Sequence, residues 1–249
     1  MQQVGPDKVI RTARKFGIKS PLGRHLSLAL GTSGISPLEI ASAYSVIANL
    51  GIYNEPYLIQ QIEDFQGNRL YEHFYQGVQQ YGPDALYPLL DMMRGVVERG
   101  TGKIVRRMGF QHPAAGKTGT TNGFKDAWFN GFTKDISTSV WVGFDNNDSM
   151  KTRSGKGLTG ASAAAPIWVH FMQKALEGKT KVKFPVPDNI KIATVDVKTG
   201  KLPDEFSLEK IEIAVKEDVN LSPLPIEDPI SEWDAREKLE VEKFKTFSN

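Results

Sequence analysis

One stretch of the sequence reads AGKTGTTN over residues 115–122 and continues as DAWFNGFT over residues 126–133. The first eight residues place one lysine ammonium, three hydroxyls and two glycines close together. Gly116 and Gly119 have no side chain, so a second backbone can approach this stretch closely. We therefore predict an extended strand at the edge of a sheet. Such a strand can bind an anionic, amide-like substrate through its side chains and its backbone N–H groups.

The flanking sequence predicts a sheet with helices packed on it. Residues 127–133 and 136–145 have the pattern of two strands, and the apolar run at 140–144 is typical of a strand covered on both faces. Amphipathic helices are predicted from a capping box at 36–39 to a stop at 49–51, and at 85–99 and 161–176. Helices around paired strands indicate an α+β fold, with an antiparallel sheet covered by helices.

Three weaker patterns complete the organisation of the chain. They predict a helix at 6–17, a hairpin of residues 57–65 and 69–74, and a small strand pair that starts at 189–197 and turns at Thr199 and Gly200. The composition changes near residue 185 and becomes rich in Pro and Glu from residue 222. We predict three segments: a main domain at 1–184, a small β extension at 185–221, and an acidic tail at 222–249 that is mobile or a lone helix.

Composition excludes several classes of function. The chain has 249 residues, 40% apolar and 24% charged, which is typical of a globular protein. A net charge of +2 gives no electrostatic footprint for nucleic acid. The absence of cysteine excludes disulfides, thiol redox chemistry and cysteine zinc sites. No apolar run is long enough to span a bilayer, and residues 1–18 lack the apolar core of a secretory signal.

Two interpretations compete for the lysine at the centre of the motif. A phosphate loop needs a glycine where the sequence has Gln111, and the residues after Thr118 cannot open a helix. The alternative is a strand that lines an acyl-transfer cleft, in which Lys117 assists proton movement beside a nucleophile. For an isolated Lys-Thr-Gly, a solvated turn with a surface lysine would be the simplest interpretation.

The residues around Lys117 have separate predicted roles in such a cleft. The hydroxyls of Thr118 and Thr120 can hold a substrate carboxylate. The backbone N–H that follows Gly119, that of Thr120, can stabilise a developing oxyanion. Thr121 and Asn122 flank the motif and are candidate substrate contacts.

No metal or cofactor is predicted from the sequence. The four histidines, which are the commonest metal ligands, share no ligand spacing and no acidic pair accompanies them: His25, His73, His112 and His170. We therefore expect chemistry carried by side chains and backbone alone.

The surrounding motifs carry a family resemblance. In order they are GTSGISPLE at 31–39, VERGTG at 97–102, AGKTGTTN at 115–122, DAWF at 126–129, VWVG at 140–143 and AAPIW at 164–168. Over residues 1 to about 200 the chain resembles the transpeptidase domain of class A (bifunctional) penicillin-binding proteins. The resemblance implies D,D-transpeptidation of peptidoglycan stem peptides through an acyl-serine intermediate, inhibition by β-lactams, and work at the outer face of the cytoplasmic membrane.

The chain departs from the family pattern at the nucleophile. The family order is Ser-x-x-Lys, Ser-x-Asn and then Lys-Thr-Gly. Here the single Ser-x-x-Lys, at 207–210, follows the Lys-Thr-Gly motif, and no Ser-x-Asn occurs. Residues 1–5 resemble the family segment just after Ser-x-Asn, so we expect the chain to start downstream of both motifs.

Three expectations follow from the missing nucleophile. The chain alone should be inactive, the faces near Trp128 and Trp141 should be partly exposed, and a complementary N-terminal fragment is a candidate partner. A D,D-carboxypeptidase or serine β-lactamase is a less favoured alternative. A non-catalytic remnant that binds peptidoglycan or a partner is another.

Overall fold

The computed structural model describes residues 3–222 of the chain. The chain divides into two compact units, Met1–Ile190 and Lys191–Asn249. The α-helices are α1 (Pro6–Lys15), α2 (Pro37–Ala48), α3 (Pro83–Glu98), α4 (Ile104–Arg107) and α5 (Ala165–Ala175). The strands are β1 (Ile52–Tyr53), β2 (Gln61–Glu63), β3 (Arg69–Glu72), β4 (Val78–Gln79), β5 (Ala115–Thr120), β6 (Asp126–Phe132), β7 (Ser137–Gly143), β8 (Ile190–Asp196) and β9 (Lys210–Lys216).

The centre of the first unit is an antiparallel sheet in the order β5-β6-β7. On one face, Phe129 of β6 joins a buried cluster with α5. Trp168 of α5 is fully buried, and its ring lies edge-on to both Phe110 and Phe129 at centroid distances of 5.2 Å. Its indole N–H donates to the carbonyl oxygen of Gly131 at 3.2 Å. This face therefore holds the main core, and we call it the core face.

Helix α2 covers one end of the opposite face. The Tyr44 ring meets Phe132 edge-on at 6.3 Å, and the Ser137 hydroxyl donates to the carbonyl oxygen of Ala41 at 2.8 Å. The sheet thus carries helices on both faces, which confirms the predicted α+β fold.

One expectation about β7 is wrong. The run at 140–144 was predicted to be covered on both faces, yet Trp141 is 37% exposed and Phe144 is 55% exposed. Helix α2 packs only at the Phe132 end, so nothing among the described residues covers the other end of that face fully. The partial exposure expected near Trp141 is confirmed.

The long helices start differently from their predicted bounds. Helix α3 begins at Pro83, because proline fits the first helical turn, where no intrahelical N–H bond is lost. The predicted helix at 161–176 opens with a π-helical turn, Gly160–Ala164, before α5. Thr159 and Ser162 cap this turn reciprocally. The first residue of this turn, Gly160, donates its N–H to the Thr120 hydroxyl oxygen of β5 at 3.0 Å.

The predicted hairpin forms a projection that we call the arm, residues 57–75. Only β2 and β3 pair within it, with a bulge between Ile62 and Glu63, so the hairpin is shorter than predicted. Its apolar side chains include Leu58 and Phe65, each 96% exposed. Strands β1 and β4 pair just outside the arm, so the chain enters and leaves it at adjacent points.

The second unit contains the strand predicted at 189–197. It forms β8, and its partner is β9 at 210–216, well beyond the turn at 199–200. The predicted tail lies outside the described residues apart from Ser222. Within residues 3–222, no helix combines the length and the apolar character needed to cross a membrane.

The carboxylate of Glu39 ties a loop to the start of α2. It accepts backbone N–H bonds from Lys19 at 2.6 Å and Ser20 at 2.8 Å, and a hydroxyl bond from Ser20 at 2.5 Å. It also completes the predicted capping box with Ser36. These hydrogen bonds, the Ser20 hydroxyl first, lower the pKa of Glu39 from 4.5 to about 2.

This arrangement predicts a loss of stability in acid. Because the folded-state pKa of Glu39 is depressed, its stabilisation is complete above the unfolded pKa of 4.5 and is lost as the pH falls toward 2. We expect Glu39→Gln to lower the urea midpoint at neutral pH. The difference in urea midpoint between wild type and variant should become smaller as the pH falls from about 5 to about 2. Glu55→Gln, at an exposed pair with Lys19, is the control and should change little. A gap that stays constant with pH would contradict this role of Glu39.

Candidate active site

The motif AGKTGT forms β5, an edge strand of the central sheet, so the predicted extended edge is confirmed. Side chains alternate between faces along a strand, and directly paired residues of neighbouring strands share a face. Thr118 pairs with Phe129, so Thr118 and Thr120 lie on the core face. Lys117 pairs with Asn130 and lies on the opposite face, which we call the Lys117 face.

The middle of the Lys117 face is polar. It lies between the end of the face that α2 covers and the end formed by two partly exposed tryptophan rings. Asn130 accepts a hydrogen bond from the Ser139 hydroxyl and also bonds the Tyr44 side chain. Burial raises the pKa of the Tyr44 phenol, so it stays neutral at physiological pH. The Lys117 ammonium is exposed and donates to the carbonyl oxygen of Thr118 at 2.8 Å. A cation is therefore available beside the strand.

The Trp128 and Trp141 rings form the open end of this face. Their centroids are 6.3 Å apart, and Trp128 pairs directly with Gly119 across the ladder. The Trp141 indole N–H donates to an Asp126 carboxylate oxygen at 2.8 Å, which fixes that ring. A Cβ at Gly119 would lie 3.1 Å from the Cβ of Trp128, so the glycine lets the Trp128 side chain lie against the strand.

The two threonine hydroxyls predicted to bind a carboxylate are both held by neighbours. The hydroxyl oxygens of Thr118 and Thr101 are 2.7 Å apart. The hydroxyl oxygen of Thr120 accepts the backbone N–H of Gly160 at 3.0 Å. A side chain at Gly160 would lie 2.2 Å from the carbonyl oxygen of Trp128, so only glycine brings this N–H close enough.

The loop after β5 is a fixed turn. The hydroxyl oxygen of Thr121 accepts N–H bonds from Lys125 at 3.2 Å and from Asp126 at 2.8 Å. The carbonyl oxygen of Gly123 accepts the Ser149 hydroxyl at 2.6 Å. The Thr121 hydroxyl thus has a structural function, and Asn122 lies exposed in the same turn.

The predicted residues Lys117 to Asn122 therefore lie together on one strand and the turn that follows it. The serine of the Ser-x-x-Lys sequence at 207–210 does not belong to this group. Ser207 belongs to the second unit, where its hydroxyl donates to Asp204 at 3.0 Å. Across residues 3–222, no cluster of three or more potential ligands could hold a metal ion.

Three contacts of the site were not predicted from the sequence: Thr101, Gly160 and Asn130. Thr101 lies in the VERGTG motif, whose sequence predicts no role for this residue. Gly160 precedes a predicted helix, and a lone glycine there carries no signal of its contact with β5. Asn130 was visible only as a polar residue within an apolar strand.

Comparisons with known proteins identify the family of the chain. The penicillin binding protein transpeptidase domain family matches residues 2–173. Penicillin-binding protein 1A from Aquifex aeolicus is 36% identical over 206 residues, covering 82% of this chain and 27% of that protein. The chain spans about a quarter of the length of the curated relatives it matches.

Solved structures share the fold. Penicillin-binding protein 1A from Haemophilus influenzae matches with a TM-score of 0.76 and 26% identity over 90% of this chain and 38% of that chain. PonA1 from Mycobacterium tuberculosis, in complex with penicillin V, matches with a TM-score of 0.63 and 28% identity over 73% of this chain and 53% of that chain. The chain therefore belongs to the penicillin-binding protein transpeptidase family, in the class A group that its sequence resembles.

Proposed function

We propose that this chain supplies the substrate-binding strand of a peptidoglycan D,D-transpeptidase that works through an acyl-serine intermediate. The observation that carries the proposal is β5: an edge strand with a lysine on one face and two hydrogen-bonded threonine hydroxyls on the other. The attacking serine would come from polypeptide that bears Ser-x-x-Lys and Ser-x-Asn. This chain has neither motif in the family order.

Each residue of the strand has a chemical task in this proposal. Lys117 places a positive charge beside the reacting centre and assists proton transfer. Thr118 and Thr120 donate hydroxyl bonds to the carboxylate of a stem peptide or of a β-lactam. The Thr120 N–H stabilises the oxyanion that develops when the serine attacks. Thr121 and Asn122 border the bound ligand, with the Thr121 hydroxyl also holding the turn.

The proposal extends to partners and location. PonA1 was solved with penicillin V, which supports β-lactams as ligands of the complete domain around this chain. Stem peptides are the proposed substrates, and a complementary fragment with the nucleophile is the proposed partner. The family resemblance supports work at the outer face of the cytoplasmic membrane, and a transpeptidase domain that ends near residue 184.

Mass spectrometry can test the assignment of the nucleophile. We expect no covalent adduct after this chain alone is incubated with benzylpenicillin, because it lacks the serine motifs. The protein in which this chain is joined to polypeptide that supplies these motifs, called the full-length protein below, should gain one adduct of the mass of the drug. An adduct on a serine of the isolated chain would contradict the proposal, and so would an unmodified full-length protein.

A further inference from the structure

A tight turn after α3 brings Thr101 to β5. The Gly100 N–H donates to the Gly95 carbonyl oxygen at 2.9 Å, and the Gly102 N–H donates to that of Val96, also at 2.9 Å. Gly102 is buried, and a Cβ there would lie 3.3 Å from the ring of Phe129. The turn is thus fixed against the residue that pairs with Thr118.

The contact between the Thr101 and Thr118 hydroxyls decides which of the two can donate its single proton to a ligand. A hydroxyl has one proton to donate and two lone pairs that accept, whereas a carboxylate only accepts. A threonine can therefore serve a carboxylate only if its own proton points toward that ligand. At Thr120 the Gly160 N–H occupies a lone pair, which leaves the Thr120 proton for the ligand.

For Thr118 to donate in the same way, another group must donate to its oxygen, as the Gly160 N–H does for Thr120. The Thr101 hydroxyl lies close enough to do so. The 2.7 Å separation of the oxygens is that of a good O–H···O hydrogen bond. If the Thr101 proton lies between the two oxygens, the Thr118 proton is directed away, toward the ligand. The Gly160 amide and the Thr101 hydroxyl would then perform the same task for two neighbouring threonines.

We propose that Thr101 is a positioning residue, which donates to Thr118 and thereby directs the Thr118 proton to the carboxylate of the bound acyl donor. This inference rests on the proposed function of β5. It assigns a role to Thr101 within the VERGTG motif at 97–102, where α3 ends. Thr101 acts through Thr118 and does not touch the reacting atoms.

The test compares two acyl donors on the full-length protein. Benzylpenicillin carries the carboxylate, and its methyl ester lacks the negative charge. We expect Thr101→Val to lower the second-order rate of acylation by benzylpenicillin about five- to tenfold, the effect of one lost neutral hydrogen bond. Thr101→Ser keeps the hydroxyl and should stay near wild type. The rate with the methyl ester should change less than twofold in either variant.

A matched control separates positioning from a general effect. Thr12→Val removes another exposed threonine hydroxyl that contacts a hydroxyl, that of Tyr81 at 3.1 Å, far along the chain on α1. It should leave both acylation rates unchanged. Thr101 is proposed to act only through the Thr118 hydroxyl, which Thr118→Val removes. The double variant Thr101→Val/Thr118→Val should therefore be acylated no more slowly than Thr118→Val alone. Thr101→Ala replaces Thr101→Val if the melting temperature shows that the valine variant does not fold.

The outcomes distinguish this inference from the function beneath it. Equal acylation of wild type and Thr101→Val by benzylpenicillin would overturn the inference and leave the proposed function intact. An equal loss with both donors would assign Thr101 a purely structural role and overturn the inference as well. A wild-type full-length protein that neither donor acylates would overturn the proposed function, and this inference with it.

Discussion

Replacing Lys117 with methionine in the full-length protein is expected to lower the rate of acylation by benzylpenicillin at least about 100-fold, the lower range for loss of a group that assists proton transfer. Methionine keeps most of the side-chain volume and removes the ammonium. Because Lys117 is exposed and its partner is a single carbonyl oxygen, the fold should tolerate the change. The measurement is a stopped-flow or gel-based acylation time course, read beside the melting temperature.

The control for this prediction lies on the same sheet. Lys134→Met removes a lysine from the turn between β6 and β7, at the end of the sheet opposite to the β5–β6 loop. It should acylate at the wild-type rate. Lys117→Arg keeps the charge but changes the shape of the donor, and we expect an intermediate rate. Wild-type acylation by Lys117→Met would remove Lys117 from the mechanism.

Replacing Trp168 with alanine is expected to produce the largest loss of stability. Trp168 is fully buried between Phe110 and Phe129, and its N–H satisfies the carbonyl oxygen of Gly131. Removal of a buried tryptophan costs about 3–5 kcal/mol of unfolding free energy. Since domains of this size are stable by about 5–15 kcal/mol, this loss is a large fraction of the total and should lower the urea midpoint strongly. Chemical denaturation of the isolated chain measures the difference.

Trp141→Ala provides a comparison with the same change in volume. Trp141 is 37% exposed at the open end of the Lys117 face, so we expect a loss of about 1 kcal/mol. Trp168→Phe keeps a buried ring but loses the indole hydrogen bond to the Gly131 carbonyl oxygen, and its loss of stability should fall between those of the two alanine variants. Equal denaturation midpoints for Trp168→Ala and Trp141→Ala would show that the core is not centred on Trp168.

The strand at the site was predictable because its chemistry is local. Gly116 and Gly119, next to a lysine and several hydroxyls, indicate a strand that a second backbone can approach, without any tertiary information. The partners of Thr118 and Thr120 were not predictable from β5 itself. Thr101 is 17 residues before Thr118, and Gly160 is 40 residues after Thr120. Only the packing of α3 and of the π-helical turn brings them to the strand.

The fold shows the same division between local and tertiary causes. The capping box of Ser36 and Glu39 was readable from four residues, but the additional bonds from Lys19 and Ser20 depend on a loop far away in sequence. The run at 140–144 looked fully buried because its apolar residues are consecutive. Its true exposure depends on how far α2 extends over the sheet, which a strand's own sequence does not specify.

The arm has a practical consequence for following this protein in solution. Its tip turns at Gly67, while the helices on either side of it, α2 and α3, are both held against the central sheet. A fluorophore or affinity handle attached at the tip would therefore be joined to the helices through the paired strands β1 and β4, and β5 would carry no modification. The β-lactam binding proposed for the complete domain could then be recorded optically or on a sensor chip, without modifying Lys117 or its neighbours on β5.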